Sequence, residues 1–179
     1  MTRLALVLTG SLVLAGASVV AEEHDMHVSS VASTPQWEKV KSLAGEWDGY
    51  GMEAGKRVPT HVSVRPTGDG SAMMHVIDAG TPHEMVTMFA MDKNDLLATH
   101  YCSAHNQPRL LAQPGGDPSR IVFDFKDGTN IRPGDGYMKR LAVTFVDADH
   151  HNEEWSYDEG GKVSAMTFML TRVKPAAAR

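Results

Sequence analysis

The stretch Leu43-Ala44-Gly45-Glu46-Trp47-Asp48-Gly49-Tyr50-Gly51 marks the point where the hydrophobic period of the sequence changes. Before it, bulky apolar residues recur at helical spacing, and Thr34-Pro35 supplies an N-cap followed by a proline suited to the first helical position. After it, apolar and polar residues alternate with the period of a β-strand. The sequence therefore predicts one short helix that begins after Thr34 and ends at Gly45, followed by strands.

The rest of the chain repeats short alternating segments separated by turns rich in Gly, Asn and Asp. Regular short strands with tight turns favour an all-β, up-and-down antiparallel β-barrel of about ten strands, in which closure removes the sheet edges. The predicted strands are Glu46–Met52, Thr60–Arg65, Ala72–Asp78, Glu84–Asp92, Leu96–Cys102, Arg109–Gln113, Arg120–Lys126, Met138–Asp147, Glu153–Asp158 and Lys162–Val173.

Composition excludes several classes of protein. The chain has 179 residues, a hydrophobic fraction of 42%, a net charge of -5 and one cysteine, Cys102. The length suits one domain, and the apolar fraction suffices for one packed core. The acidic balance argues against nucleic-acid binding. A single cysteine excludes an intramolecular disulfide framework and multi-cysteine metal sites.

The N-terminal segment has the features of a signal peptide. Arg3 precedes an apolar run that ends in small residues, so cleavage is predicted after Ala21. Residues 1–21 are then the signal peptide, 22–33 a flexible leader, 34–175 a single barrel domain and 176–179 a tail. The mature protein is expected to be periplasmic or secreted and to have no stable membrane span.

Two motifs carry a family resemblance. Gly45-x-Trp47 follows the short helix at the start of the first strand, and Arg172 lies near the end of the last strand. This arrangement resembles the calycin superfamily, which includes lipocalins, fatty-acid-binding proteins and nitrobindin-like barrels. The resemblance implies structural roles for Trp47 and Arg172, which pack together at the barrel floor, and an apolar cavity for a small molecule. Nitrobindin-like proteins hold haem iron through a His near the C-terminal strands, whereas residues 163–173 contain no His.

The segment from Thr99 to Arg109 contains the candidate ligand-binding residues. His100 and Cys102 are two positions apart in a predicted strand and therefore share one face. The candidates are His100, Tyr101, Cys102, His105, Asn106 and Arg109. Imidazole and thiolate groups also suit Zn²⁺ or copper, and a buried His beside an inert thiol is the structural alternative.

Two further clusters have simpler interpretations. The run from Asp147 to Glu154 is interpreted as a solvated, charged hairpin turn, with a divalent-cation site as the alternative. Cleavage after Ala21 would leave Glu22-Glu23-His24 as a terminus with incidental affinity for Cu(II).

The predicted function is binding of a small apolar or amphipathic molecule inside an exported barrel. The alternatives are a metal- or haem-binding barrel that uses His100, Cys102 and His105, and an enzyme with a His general base; no residue is assigned a catalytic role, and the cofactor is left unknown. The strands Glu84–Asp92 and Leu96–Cys102 are apolar on both faces, so a homodimer through this region is a further hypothesis.

Overall fold

The computed structural model describes residues 32–53 and 55–174. The predicted signal peptide, most of the leader and the tail lie outside the described residues. Within them the chain forms one helix, α1 (Pro35–Lys41), and ten strands: β1 (Gly45–Glu53), β2 (Lys56–Thr67), β3 (Ala72–Ile77), β4 (Met85–Asp92), β5 (Asp95–Tyr101), β6 (Gln107–Ala112), β7 (Arg120–Thr129), β8 (Tyr137–Phe145), β9 (His150–Glu159) and β10 (Lys162–Arg172).

The strands form a closed antiparallel barrel in which each strand pairs with its neighbour in sequence. The first and last strands close the barrel, with Trp47 opposite Arg172 and Gly51 opposite Phe168. The predicted all-β, ten-stranded up-and-down barrel with one short helix is confirmed. Because the barrel is closed, each of these strands has a neighbour on both sides, and the sheet has no open edge at which another chain could pair.

The helix is shorter than the sequence predicted, and the prediction that it ends at Gly45 is wrong. Thr34 is the N-cap as expected, and its side chain accepts a hydrogen bond from the Trp37 amide. The helix ends at Lys41, because Ser42 closes the last turn with its hydroxyl bonded to the Lys39 carbonyl at 2.7 Å. Gly45 instead begins β1 with φ +136°, a conformation that L-residues with side chains rarely adopt.

Successive loops of an up-and-down barrel lie at alternating ends. The helix packs Trp37 and Val40 into the core at the end where β1 begins, and Leu43, which follows the helix, is buried with them. The opposite end carries the β1–β2, β3–β4, β5–β6, β7–β8 and β9–β10 connections. This second end holds a cavity large enough for a small molecule.

A polar layer crosses the barrel interior within the apolar core and reaches that cavity at one side. The register aligns His75 of β3, Thr87 of β4 and His100 of β5 in one row across three neighbouring strands. Strand β9 contributes His151 and Glu153, and all five side chains are no more than 1% exposed. Such deep burial of polar groups is stable only where hydrogen bonds replace the lost water.

Candidate functional site

The cavity at the open end has a volume of about 590 Å³. Its deeper part is lined by His100, Trp155 and Phe168, and its entrance by the turn that follows β5. None of the fourteen described residues that line it is Asp, Glu, Lys or Arg. The size falls within the range of small-molecule sites, and the uncharged lining suits an apolar or amphipathic occupant.

His100 is the most deeply buried polar side chain that lines this cavity. Its Nδ1 lies 2.9 Å from the hydroxyl of Thr87, and its ring centroid lies 4.8 Å from that of Trp155. Burial lowers the pKa of His100 to about 4, with a further decrease from neighbouring His75, so the imidazole is neutral at pH 7. Its Nε2 has no hydrogen-bond partner among the described residues.

Cys102 lies on the same side of the strand as His100 and lines the outer part of the cavity. Its side chain is half-buried, and burial raises the pKa of the thiol above its ordinary value. The protein therefore holds Cys102 as a neutral thiol at pH 7 and does not activate it as a nucleophile. The adjacent Ser103 hydroxyl lies 3.7 Å from the sulfur of Met85.

The tight turn after β5 is braced against the loop between β7 and β8. The Asn106 side chain is buried and donates a hydrogen bond to the carbonyl of Gly136 at 2.8 Å. The Oδ1 atom of Asn106 has no partner within the described ranges. A side chain at Gly136 would displace Tyr157, since a Cβ atom there would lie 2.0 Å from the Tyr157 hydroxyl oxygen.

The remaining predicted ligand-binding residues lie outside the cavity lining. Tyr101 points to the opposite face from His100 and is 50% exposed. His105 is exposed at the turn, where its φ of 63° lies in the left-handed region. Arg109 is exposed and pairs with Asp127, with Nη2 2.7 Å from Oδ2. The structure thus brings only His100 and Cys102 together at the cavity, and Asn106 supports its entrance.

The buried carboxylate of Glu153 is not among the site residues predicted from the sequence. Glu153 accepts hydrogen bonds from His75 at 2.8 Å and His151 at 3.1 Å through one oxygen, and from the Trp155 indole at 3.0 Å through the other. Burial alone would raise the pKa of Glu153, but the two imidazoles and their hydrogen bonds hold it well below its ordinary value.

The interpretation of residues 147–154 as a solvated turn is therefore wrong for His151 and Glu153, although Asp147 and His150 are exposed and Asp149 is half-buried. A signal was available in the sequence. His151, Glu153 and Trp155 alternate with period two, and extending the predicted strand to His150 places all three on the inner face.

Trp47 and Arg172 lie at the opposite end of the barrel from the cavity. The Arg172 guanidinium lies over the Trp47 ring, with Cζ 4.0 Å from the ring centroid. It also donates hydrogen bonds to three backbone carbonyls, those of Ala148, Ala44 and Ser42, at 3.0, 2.7 and 2.9 Å. This one side chain therefore joins the end of the helix, the first strand and the β8–β9 turn.

The predicted metal-binding side chains match the needs of a metal ion or a haem only in part. Among the described residues, no group of three or more His, Cys, Asp or Glu side chains is arranged to hold a metal ion. His105 does not join His100 and Cys102, so those three side chains do not form one site. His100 could ligate a haem iron, because its Nε2 has no partner among the described residues, but no described Lys or Arg lines the cavity to pair with haem carboxylates.

Comparisons with solved structures show the same fold. Rv2717c from M. tuberculosis matches with a TM-score of 0.54 and 13% identity over 79% of this chain and 99% of its own. A DUF3598-family protein of unknown function from Nostoc punctiforme matches with a TM-score of 0.53 and 14% identity over 75% of this chain and 48% of its own. At these identities the likeness concerns the fold alone.

Sequence comparisons add no functional assignment. No family model matches the chain, and no curated protein matches it. In the described part of the chain, no helix is both long enough and apolar enough to cross a membrane.

Proposed function

We propose that this protein binds a small apolar or amphipathic molecule in the cavity at the open end of its barrel, with His100 as the polar contact that orients it. The unpartnered Nε2 of His100 is the observation that supports this proposal. A buried polar atom without a partner costs about 1–3 kcal/mol, so a ligand that supplies a hydrogen-bonding group there recovers that cost. The surrounding apolar surface provides the remaining affinity.

The proposal includes membership of the calycin superfamily and export to the periplasm or the exterior. Both are supported by sequence features, Gly45-x-Trp47 with Arg172 in the first case and residues 1–21 in the second. A homodimer through the outer faces of β4 and β5 remains a hypothesis, in which half-buried Val86, Met88 and Leu97 contact a second subunit. A monomeric mass at micromolar concentration would contradict it.

A titration with N-phenyl-1-naphthylamine, a neutral fluorescent apolar probe with one N–H group, tests the binding function. Met166→Trp places a larger side chain in the cavity, and Met169→Trp makes the same change on the outer face of the same strand. We expect the wild type and Met169→Trp to bind one probe molecule per chain with micromolar affinity. Met166→Trp should bind at least ten times more weakly.

The polar contact is tested by His100→Phe, which keeps a ring at this position but removes both nitrogen atoms. Loss of one hydrogen bond should weaken probe binding about five- to tenfold. Equal affinity of Met166→Trp and Met169→Trp would show that the probe binds elsewhere. An unchanged affinity in His100→Phe would show that the imidazole does not orient the ligand.

Haem is the second candidate ligand, favoured by the same free Nε2 atom beside Trp155. When bound, a haem would supply an iron centre for binding or redox chemistry, and His100 would be its protein ligand. Hemin added to the purified protein should then give a Soret band that His100→Phe shifts. A spectrum identical in the two proteins would rule out this candidate.

A further inference from the structure

The cavity is unusually rich in sulfur. Five of the fourteen described residues that line it carry a sulfur atom, against twelve of the 179 residues in the whole chain. These five are Met52, Met85, Cys102, Met138 and Met166. They come from β1, β4, the turn after β5, β8 and β10, so the sulfur atoms belong to strands around the barrel circumference.

The arrangement of groups near Cys102 suits a soft metal ion. Cys102 and His100 line the cavity from the same side of the β5 segment, and the Met85 sulfur lies 3.7 Å from the hydroxyl of Ser103, the residue after Cys102. Thiolate, thioether and imidazole together are ligands preferred by soft metals such as Cu(I). Methionine is unbranched and flexible, so its sulfur can move to a bound ion at low cost.

His100 has the hydrogen-bonding pattern of a metal ligand. Histidines that bind metals commonly donate the other ring N–H to an oxygen atom, which fixes the tautomer and the ring orientation. Here Nδ1 lies 2.9 Å from the Thr87 hydroxyl, and Nε2 is buried without a hydrogen-bond partner among the described residues. His100 lines the same cavity as Cys102, and the contact with Thr87 leaves its second ring nitrogen without a hydrogen bond.

The uncharged lining of the cavity favours a monovalent soft metal ion over a divalent one. No carboxylate of the described residues lines the cavity, so a doubly charged ion would keep an uncompensated charge in apolar surroundings. One Cu(I) ion and one Cys102 thiolate together are neutral. When the Cu–S bond forms, the thiol proton is released to solvent and no electron is transferred.

We propose that the cavity has a Cu(I) site formed by Cys102, His100 and Met85, with neighbouring methionines as exchangeable further ligands. This site goes beyond the proposed binding of an organic molecule and does not depend on it. It also differs from the predicted trio of His100, Cys102 and His105, because Met85 takes the place of the exposed His105.

An anaerobic competition for Cu(I) with the chromogenic chelator bicinchoninate tests the site. The wild-type protein is expected to remove one equivalent of Cu(I) from the chelator. Cys102→Ser, which closely conserves volume, should weaken binding at least a hundredfold, and Met85→Leu about tenfold. Met169→Leu, on the outer face, is the matched control and should bind as the wild type does. Circular dichroism checks that each variant keeps its β-sheet spectrum.

X-ray absorption at the copper edge then identifies the ligands, with sulfur and one nitrogen neighbour expected for the wild type. Failure to compete with bicinchoninate, or equal Cu(I) affinity of Cys102→Ser and the wild type, would overturn the proposal. Zn²⁺ binding with equal affinity would overturn its preference for a monovalent ion. The N-phenyl-1-naphthylamine titration is independent, so either proposal can fail while the other stands.

Discussion

Glu153→Gln should destabilise the fold more than any other substitution of one polar residue by another in the polar layer. The carboxylate accepts three hydrogen bonds at 2.8–3.1 Å and is only 1% exposed. An amide accepts on one side only, so its NH₂ group would face either the Trp155 indole N–H or the two imidazoles. Losing charge-assisted bonds costs about 1.5–3 kcal/mol, and the orphaned donor about 1–3 kcal/mol more. We therefore expect a loss of about 3–5 kcal/mol in the free energy of unfolding.

Urea denaturation at pH 7, followed by tryptophan fluorescence, measures this loss as a change in the unfolding midpoint at constant slope. Glu154→Gln is the matched control, because the neighbouring carboxylate is 45% exposed and only 3.8 Å from Arg120. It should cost less than about 0.5 kcal/mol. If Glu153→Gln costs less than about 1 kcal/mol, or no more than Glu154→Gln, the buried carboxylate is not the centre of the polar layer.

Three further predictions concern other parts of the barrel. Arg172→Met removes three hydrogen bonds to carbonyl groups and should lower the free energy of unfolding by about 2–4 kcal/mol. The control Arg120→Met, at an exposed position, should change it by less than about 0.5 kcal/mol. Similar urea midpoints for the two variants would show that the hydrogen bonds of Arg172 do not stabilise the fold. Gly136→Ala should lower the thermal midpoint through its clash with Tyr157, and adding Tyr157→Ala should restore part of it; a second change that only lowers the midpoint further would argue against the clash. Because the pKa of His100 is lowered to about 4, the unfolded chain binds a proton between pH 6.5 and pH 4 that the folded chain does not. Lowering the pH from 6.5 to 4 should therefore reduce the free energy of unfolding by about 3 kcal/mol. His100→Phe should remove this contribution, as measured by urea denaturation at both pH values, and an unchanged pH profile would show that His100 is not buried in its neutral form.

The barrel could be predicted because its signals are local. Strand alternation and turn residues are read within a few positions, and all ten predicted strands overlap the observed ones. The end of the helix was placed too late, because a glycine with positive φ is typical after a helix as well as at the start of this strand. Ser42 closes the helix, and Gly45 already pairs with Val64, a contact that the residues of the helix do not reveal.

The site was predicted only in part for a related reason. Alternation alone places His100 and Cys102 on one face and Tyr101 on the other, as observed. Glu153 looks like a surface residue beside other charged groups, and its burial depends on His75, 78 residues earlier in the chain. Long-range polar pairing of this kind is set by barrel closure and not by neighbouring residues.

Native mass spectrometry of the wild-type protein and Met166→Trp, expressed and purified in parallel without denaturation, tests the central proposal most directly. If the cavity binds a small molecule, the wild type should carry an additional non-protein mass at one copy per chain, and Met166→Trp should lack it. A wild-type spectrum with the polypeptide mass alone, or the same added mass in both proteins, would contradict ligand binding in this cavity.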